Sequence, residues 1–132
     1  MSAEKGGGPP GGEAALRDQG LEDLKAALRR FAEERDWDQF HTPKNLATAL
    51  IVEAGELLEH FQWMDRGTRE DMPARQRDQV ALEMADVLLY LIRLADKFEV
   101  DLIDAAKRKL ELNALKYPAA LAHGHARKYT DL

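Results

Sequence analysis

Apolar residues return every third or fourth position through "LEDLKAALRRFAEERDW", where Leu21, Leu24, Leu28 and Phe31 line one side of a helix. "DQFHTPKN" interrupts that rhythm and opens a second helix, with Thr42 placed to cap its first turn and Pro43 suited to its first position. The periodicity carries this helix from Pro43 to about Met64, ahead of "DRGTREDMP", where Gly67 and Pro73 mark a loop. A third helix is predicted from Ala74 to about Phe98, and Asp101 is the natural N-cap of a fourth that reaches about Leu115. Beyond it, "KYPAALAHGHARKYTDL" contains Pro118 and Gly124 and reads as an ordered or semi-ordered tail. Strand-like alternation is missing, so the pattern predicts an all-α, four-helix bundle-like arrangement with short connections. At the other end, "MSAEKGGGPPGGEAALRDQG" offers almost nothing to bury. Residues 1–18 are expected to form a flexible Gly/Pro-rich tail, and residues 19–132 one domain.

Successive helical residues turn by about 100°, so each acidic residue can be placed against the apolar stripe of its own helix. On the second helix Leu46, Leu50, Ala54, Leu57 and Phe61 fill one arc, and Glu53, Glu56, His60 and Trp63 share one border of it. On the third, Val80, Met84, Val87, Leu91, Leu94 and Phe98 form the arc, with Glu83, Asp86 and Tyr90 on the matching border. A solitary Glu-x-x-Glu is usually a solvated decoration opposite the core. Here the acids border the core, and the design occurs twice. If the two borders face each other, four carboxylates converge where uncompensated charge is costly. A divalent cation is the simplest compensation. Hard oxygen ligands suit Mg²⁺ or Mn²⁺, and Mg²⁺ commonly combines a few carboxylates with water and substrate phosphates, which points toward phosphate-ester or phosphoanhydride substrates.

Composition narrows the field further. A chain of 132 residues, 45% hydrophobic and 33% charged, has the size of one ordinary domain and the make-up of a soluble, charged-surface protein. Its formal charge of -5 argues against a nucleic-acid polymer as partner, because such a surface needs clustered positive charge. With no cysteine, disulfides, thiolate catalysis and zinc-thiolate sites are excluded. No apolar run approaches a membrane span, and the first residues lack the order of a signal peptide, so a cytoplasmic setting without a membrane partner is expected.

With Glu53-x-x-Glu56 followed by Glu83-x-x-Asp86, the sequence resembles the all-α nucleoside triphosphate pyrophosphohydrolases of the MazG-like superfamily. Its segments "ERDWDQFHTPKNLA", "EAGELLEHFQW", "ADVLLYLIRLA", "KRKLELNALKYP" and "RKYTDL" are similar to the dCTP pyrophosphatase branch, from Leu21 to Leu132. The resemblance implies that Glu53, Glu56, Glu83 and Asp86 are Mg²⁺ ligands. It also implies attack of a metal-activated water within a nucleoside triphosphate, giving the monophosphate and pyrophosphate, with Glu53 or Glu56 as candidate catalytic base. It places Trp37, Asp38, Gln39, Phe40, His41, Trp63 and Tyr90 against the nucleotide. Indole rings suit that task, since stacking on a base contributes about 1 to 3 kcal/mol and tolerates several bases. Without the resemblance, Trp37 and Phe40 read first as core anchors at the end of the first helix, and His41 as a local hydrogen-bonding group. Lys109, Asn113 and Lys116 resemble the basic and amide motif that follows the carboxylates, and Arg127 and Lys128 are expected near phosphates. For Lys109, Asn113 and Lys116 an ordinary helix-end role is the alternative. Leu28 stands where some members of the branch have a substrate-contacting histidine.

Ile51, Val52, Leu89 and Ile92 fall outside the two main arcs. A small unit cannot cover helices that are apolar on more than one side, so a homo-oligomer is expected, and the resemblance implies a tetramer built from dimers. A di-iron carboxylate bundle is disfavoured because no Glu-x-x-His pair occurs. A non-enzymatic helical adaptor, its acidic borders merely paired in salt bridges, is the rival reading.

Overall fold

The computed structural model describes residues 20–132, so the expected tail at 1–18 lies outside the described residues. Every regular element among them is helical: α1 (Gly20–Glu34), α2 (Pro43–Glu59), α3 (Ala74–Lys97), α4 (Leu102–Lys116) and the single turn α5 (Ala119–Ala122). Short 3-10 turns occupy Asp38–Phe40, Arg69–Asp71 and Tyr129–Asp131. The chain divides after Phe98 into two compact units.

In the first unit, α3 packs against both α1 and α2. The most buried apolar residues are Ala32 on α1, Leu46 on α2, Met72 in the loop before α3, and Val80, Ile92 and Ala95 on α3. The local starts are those the sequence announces. Thr42 Oγ1 accepts the Asn45 backbone N–H at 3.2 Å ahead of Pro43, and in the second unit Asp101 Oδ1 accepts from the Asp104 N–H at 3.0 Å. Between α1 and α2, Asp36 adopts φ 53°, a left-handed value that aspartate tolerates better than most residues. It directs the following Trp37–His41 segment back over α3.

α2 is shorter than its periodicity suggests. It ends at Glu59 rather than near Met64, because from His60 the backbone N–H groups bond three residues back: His60 to Leu57, Phe61 to Leu58, Met64 to Phe61. The turn then closes on Gly67 at φ 63°, where an added Cβ would lie 2.7 Å from the Phe61 ring, so both conformation and space call for glycine. After this corner α3 runs back along α2. His60 meets Gln76 through a hydrogen bond to its carbonyl at 3.3 Å, and farther from the loop Glu53 lies beside Glu83, as antiparallel neighbours require.

The burial pattern of α3 corrects part of the expected stripe. Ile92, expected outside the main arc, is only 2% exposed, whereas Met84 and Phe98, expected inside it, are 52% and 64% exposed. Covering by α1 as well as α2 turns the buried face of α3 toward Ile92 and Ala95, which a single stripe does not anticipate.

Candidate active site

Antiparallel packing of α2 on α3 brings the two acidic borders together. Glu53, Glu56 and Glu83 each offer an oxygen, and these oxygens lie within 4.8 Å of one another. Glu53 and Glu83 are half-buried, and each has one carboxyl oxygen, Oε2, that is buried with no hydrogen-bond partner. An orphaned buried acceptor is unfavourable, and two in one cluster of like charges are more so. The Glu53 carboxyl is pushed up to about 7, mainly by burial, then by a hydrogen bond with Glu56 and by the negative charges of Glu56, Asp86 and Glu83. Among the described residues none of these four carboxylates forms an ion pair. Asp86 stands outside the three-oxygen group, yet its charge reaches Glu53.

Asp86 also marks the edge of a second feature. A cavity of about 410 Å³ opens between α1, α3 and the segment after α1, lined mainly by Leu24, Leu28, Phe31, Trp37, Leu89 and Tyr90, with His41, Asp86 and Arg93 as its charged or titratable members. Its volume suits a small ligand, and a mostly apolar wall with few polar groups is typical of such sites. Phe31 and Trp37 meet edge to face with centroids 5.7 Å apart, and Trp37 and His41 at 6.4 Å, so the aromatic wall is held by its own contacts. Leu28 contributes apolar surface here, and Leu89, expected to be left over for an oligomer, is part of the cavity.

The expected nucleotide contacts separate into groups. Trp37, His41 and Tyr90 line the cavity. Asp38 is instead bound by Arg93 and Lys97, chiefly through the Lys97 hydrogen bond, which holds its carboxyl below the usual range. Gln39 turns its amide to the Asp36 carbonyl and carboxylate, both at 3.0 Å, and Phe40 is 60% exposed. Trp63 follows the end of α2 and is 90% exposed, away from the cavity lining. Lys109, Asn113 and Lys116 lie on α4 and Arg127 and Lys128 farther on, all in the second unit. There Lys116 Nζ sits 5.1 Å from the Tyr129 ring centroid.

One residue that pattern reasoning passes over is Arg93. It is 6% exposed and joins Asp38, His41 and Asp96. The available signal was a lone guanidinium inside the apolar run "VLLYLIRLADKF". Burial, then the Arg93 charge, hold His41 below its ordinary range, so its ring is neutral at neutral pH.

The chain resembles known proteins over most of its length. The model of the MazG-like family matches residues 49–132, which takes in all four acidic residues. Over 114 residues the chain is 46% identical to dCTP pyrophosphatase 1 of Homo sapiens, covering 85% of this chain and 67% of the human protein. The Mus musculus dCTP pyrophosphatase 1 is 45% identical over the same span and shares. A crystal structure of a pyrophosphatase from Archaeoglobus fulgidus is similar at a TM-score of 0.69 and 45% identity, covering 74% of this chain and 92% of that one. A family match spanning the paired carboxylates, together with near-half identity over most of the chain, makes this protein a member of the MazG-like family.

Proposed function

We propose that the protein is a nucleoside triphosphate pyrophosphohydrolase that converts dCTP, or a closely related pyrimidine deoxynucleoside triphosphate, to the monophosphate and pyrophosphate, so clearing such nucleotides from the precursor pool. The observation that carries this reading is the trio Glu53, Glu56 and Glu83, with two buried, unpartnered carboxyl oxygens, set next to an aromatic cavity whose edge holds Asp86. An adaptor's acidic borders would be paired in salt bridges, and among the described residues these are not.

The donor set fits a hard divalent cation: oxygen ligands only, like-charged, and short of hydrogen-bond donors. Glu53, Glu56 and Glu83 would hold it, with Asp86 beside them. Mg²⁺, or Mn²⁺ in its place, supplies neutralisation of phosphate charge and acidification of bound water. The protein's own groups do the rest. Glu53 and Glu56, one helical turn apart and hydrogen-bonded to each other in the metal-free fold, are the candidate base pair. Trp37 and Tyr90 offer ring surface to a base, and Leu24 and Leu28 keep water from that end of the cavity.

Exposed Ile51, Val52 and Met84 support self-association, with a homotetramer as the expected assembly. Sedimentation giving a monomer at micromolar concentration would remove that part of the reading. No helix among the described residues is long and apolar enough to cross a membrane, and the cytoplasmic setting expected from the sequence belongs to this proposal.

The test is a turnover panel of dCTP, CTP, dTTP, dUTP, dATP and 5-methyl-dCTP with products separated. Pyrophosphate release, strongest with a pyrimidine deoxynucleotide and abolished by EDTA, is the expected result. Orthophosphate as product, or no hydrolysis across the panel, would sink the proposal.

A further inference from the structure

Arg93 is the buried charged side chain among the described residues, set between Ile92 and Ala95 on α3. A guanidinium in such surroundings has to be paired, and each of its nitrogens is. Nη2 donates to Asp38 Oδ1, Nη1 to Asp96 Oδ2 at 3.5 Å, and Nε to His41 Nδ1 at 3.3 Å. The last contact carries chemical information. A guanidinium has donors and no acceptor, so the ring nitrogen facing it must be the unprotonated one. A neutral imidazole with an accepting Nδ1 carries its proton on Nε2, so His41 has one donor left to offer. Around the cavity Leu24, Leu28, Phe31 and Leu89 offer none, so that donor joins only those of the Trp37 indole, the Tyr90 hydroxyl and Arg93 itself.

We propose that Arg93 is a positioning residue for base recognition, which fixes His41 as the Nε2–H tautomer and thereby tunes the cavity for a base edge that presents an acceptor. Cytosine, with O2 and N3 adjacent, is such an edge. The inference rests on the nucleotide reading above and deepens it. Asp38 and Asp96 hold the guanidinium, and Lys97 shares Asp38, so the device is anchored on α3 and on the segment between α1 and α2. Arg93 acts through His41 and needs no contact with substrate.

The experiment uses the full chain labelled with ¹⁵N-histidine and a long-range ¹H–¹⁵N spectrum, with His41 assigned by comparison with His41→Gln. The expected spectrum shows a single His41 tautomer, Nδ1 bare and Nε2 protonated, and mixed tautomers in Arg93→Met. Kinetically, Arg93→Met raises KM for dCTP about tenfold, the effect of one lost hydrogen bond, and kcat stays within about threefold. Arg93→Met combined with His41→Gln has the KM of His41→Gln alone, because both changes remove the same contact. Asp38→Asn, which loosens the segment but spares the Arg93 to His41 bond, keeps the single tautomer. A protonated Nδ1 or mixed tautomers in the unsubstituted protein would overturn the proposal, and this measurement requires no variant that must fold. Multiplying KM effects in the double variant would overturn it too. The expected spectrum without turnover of any triphosphate would overturn the nucleotide reading, and the pairing would stand as a structural lock only.

Discussion

Two constellations of charge lie on α3, and they are opposites. Toward the C-terminal end, Arg29, Arg93 and Lys97 interlock with Asp38 and Asp96, each acid held by at least two basic groups. Earlier on the same helix, Glu83 joins Glu53 and Glu56 with, among the described residues, no basic partner and two orphaned oxygens. The charges of the first network are already matched within the fold, so it positions backbone and side chains. The second leaves its charge unmatched, which is unfavourable for the bare fold and useful only if something arriving from solution completes it. Asp38 and Asp96 accordingly have carboxyls held below the usual range, whereas Glu53 is pushed up to about 7.

That contrast can be broken most severely at the acidic site. Glu56→Ala or Glu83→Ala should lower triphosphate turnover by about a hundredfold or more, while metal-free melting temperature holds or rises because a like charge has gone. A parallel loss of stability and activity, measured by calorimetry and pyrophosphate release, would mean that the cluster is structural. In the paired network the sign reverses: Arg93→Ala should destabilise the fold by about 3 kcal/mol in denaturant unfolding, because it removes a buried partner and leaves Asp96 with less compensation.

A pH series sharpens the same comparison. Glu53 titrates near 7 in the fold against 4.5 ordinarily, so the folded state holds a proton that the unfolded chain has released. The stability contributed by protonated Glu53 is full below about 4.5 and is lost as pH rises through about 7. The metal-free melting temperature should therefore fall between pH 5 and pH 8 on this account, and saturating Mg²⁺ should raise it more at pH 8 than at pH 6, since binding must expel that proton. A flat profile in both conditions would count against the assignment. The smallest effect is expected from Arg29→Ala, whose side chain is 53% exposed: about 1 kcal/mol or less, shrinking further in high salt.

Local features were legible in the sequence. Thr42 and Asp101 cap where they stand because a cap needs only its own next turn. The Glu-x-x-Glu and Glu-x-x-Asp borders were visible because helical rotation alone places them. Trp63 was set on that border only by extending α2 beyond its true end at Glu59, where the chain tightens into turns whose closure depends on Phe61 packing on Gly67. Ile92 and Met84 exchanged roles because a stripe computed for one neighbour fails on a helix with two.

The sequence by itself determined the helices, their caps and the doubled acidic borders, all of which are set by residues within a few positions of one another. Tertiary structure alone decided that Glu53 would meet Glu83, that two of their oxygens would lack partners, and that Arg93 would face His41 across 52 positions of chain. Those outcomes depend on where distant helices come to rest, and long-range packing is the step that no local spacing encodes.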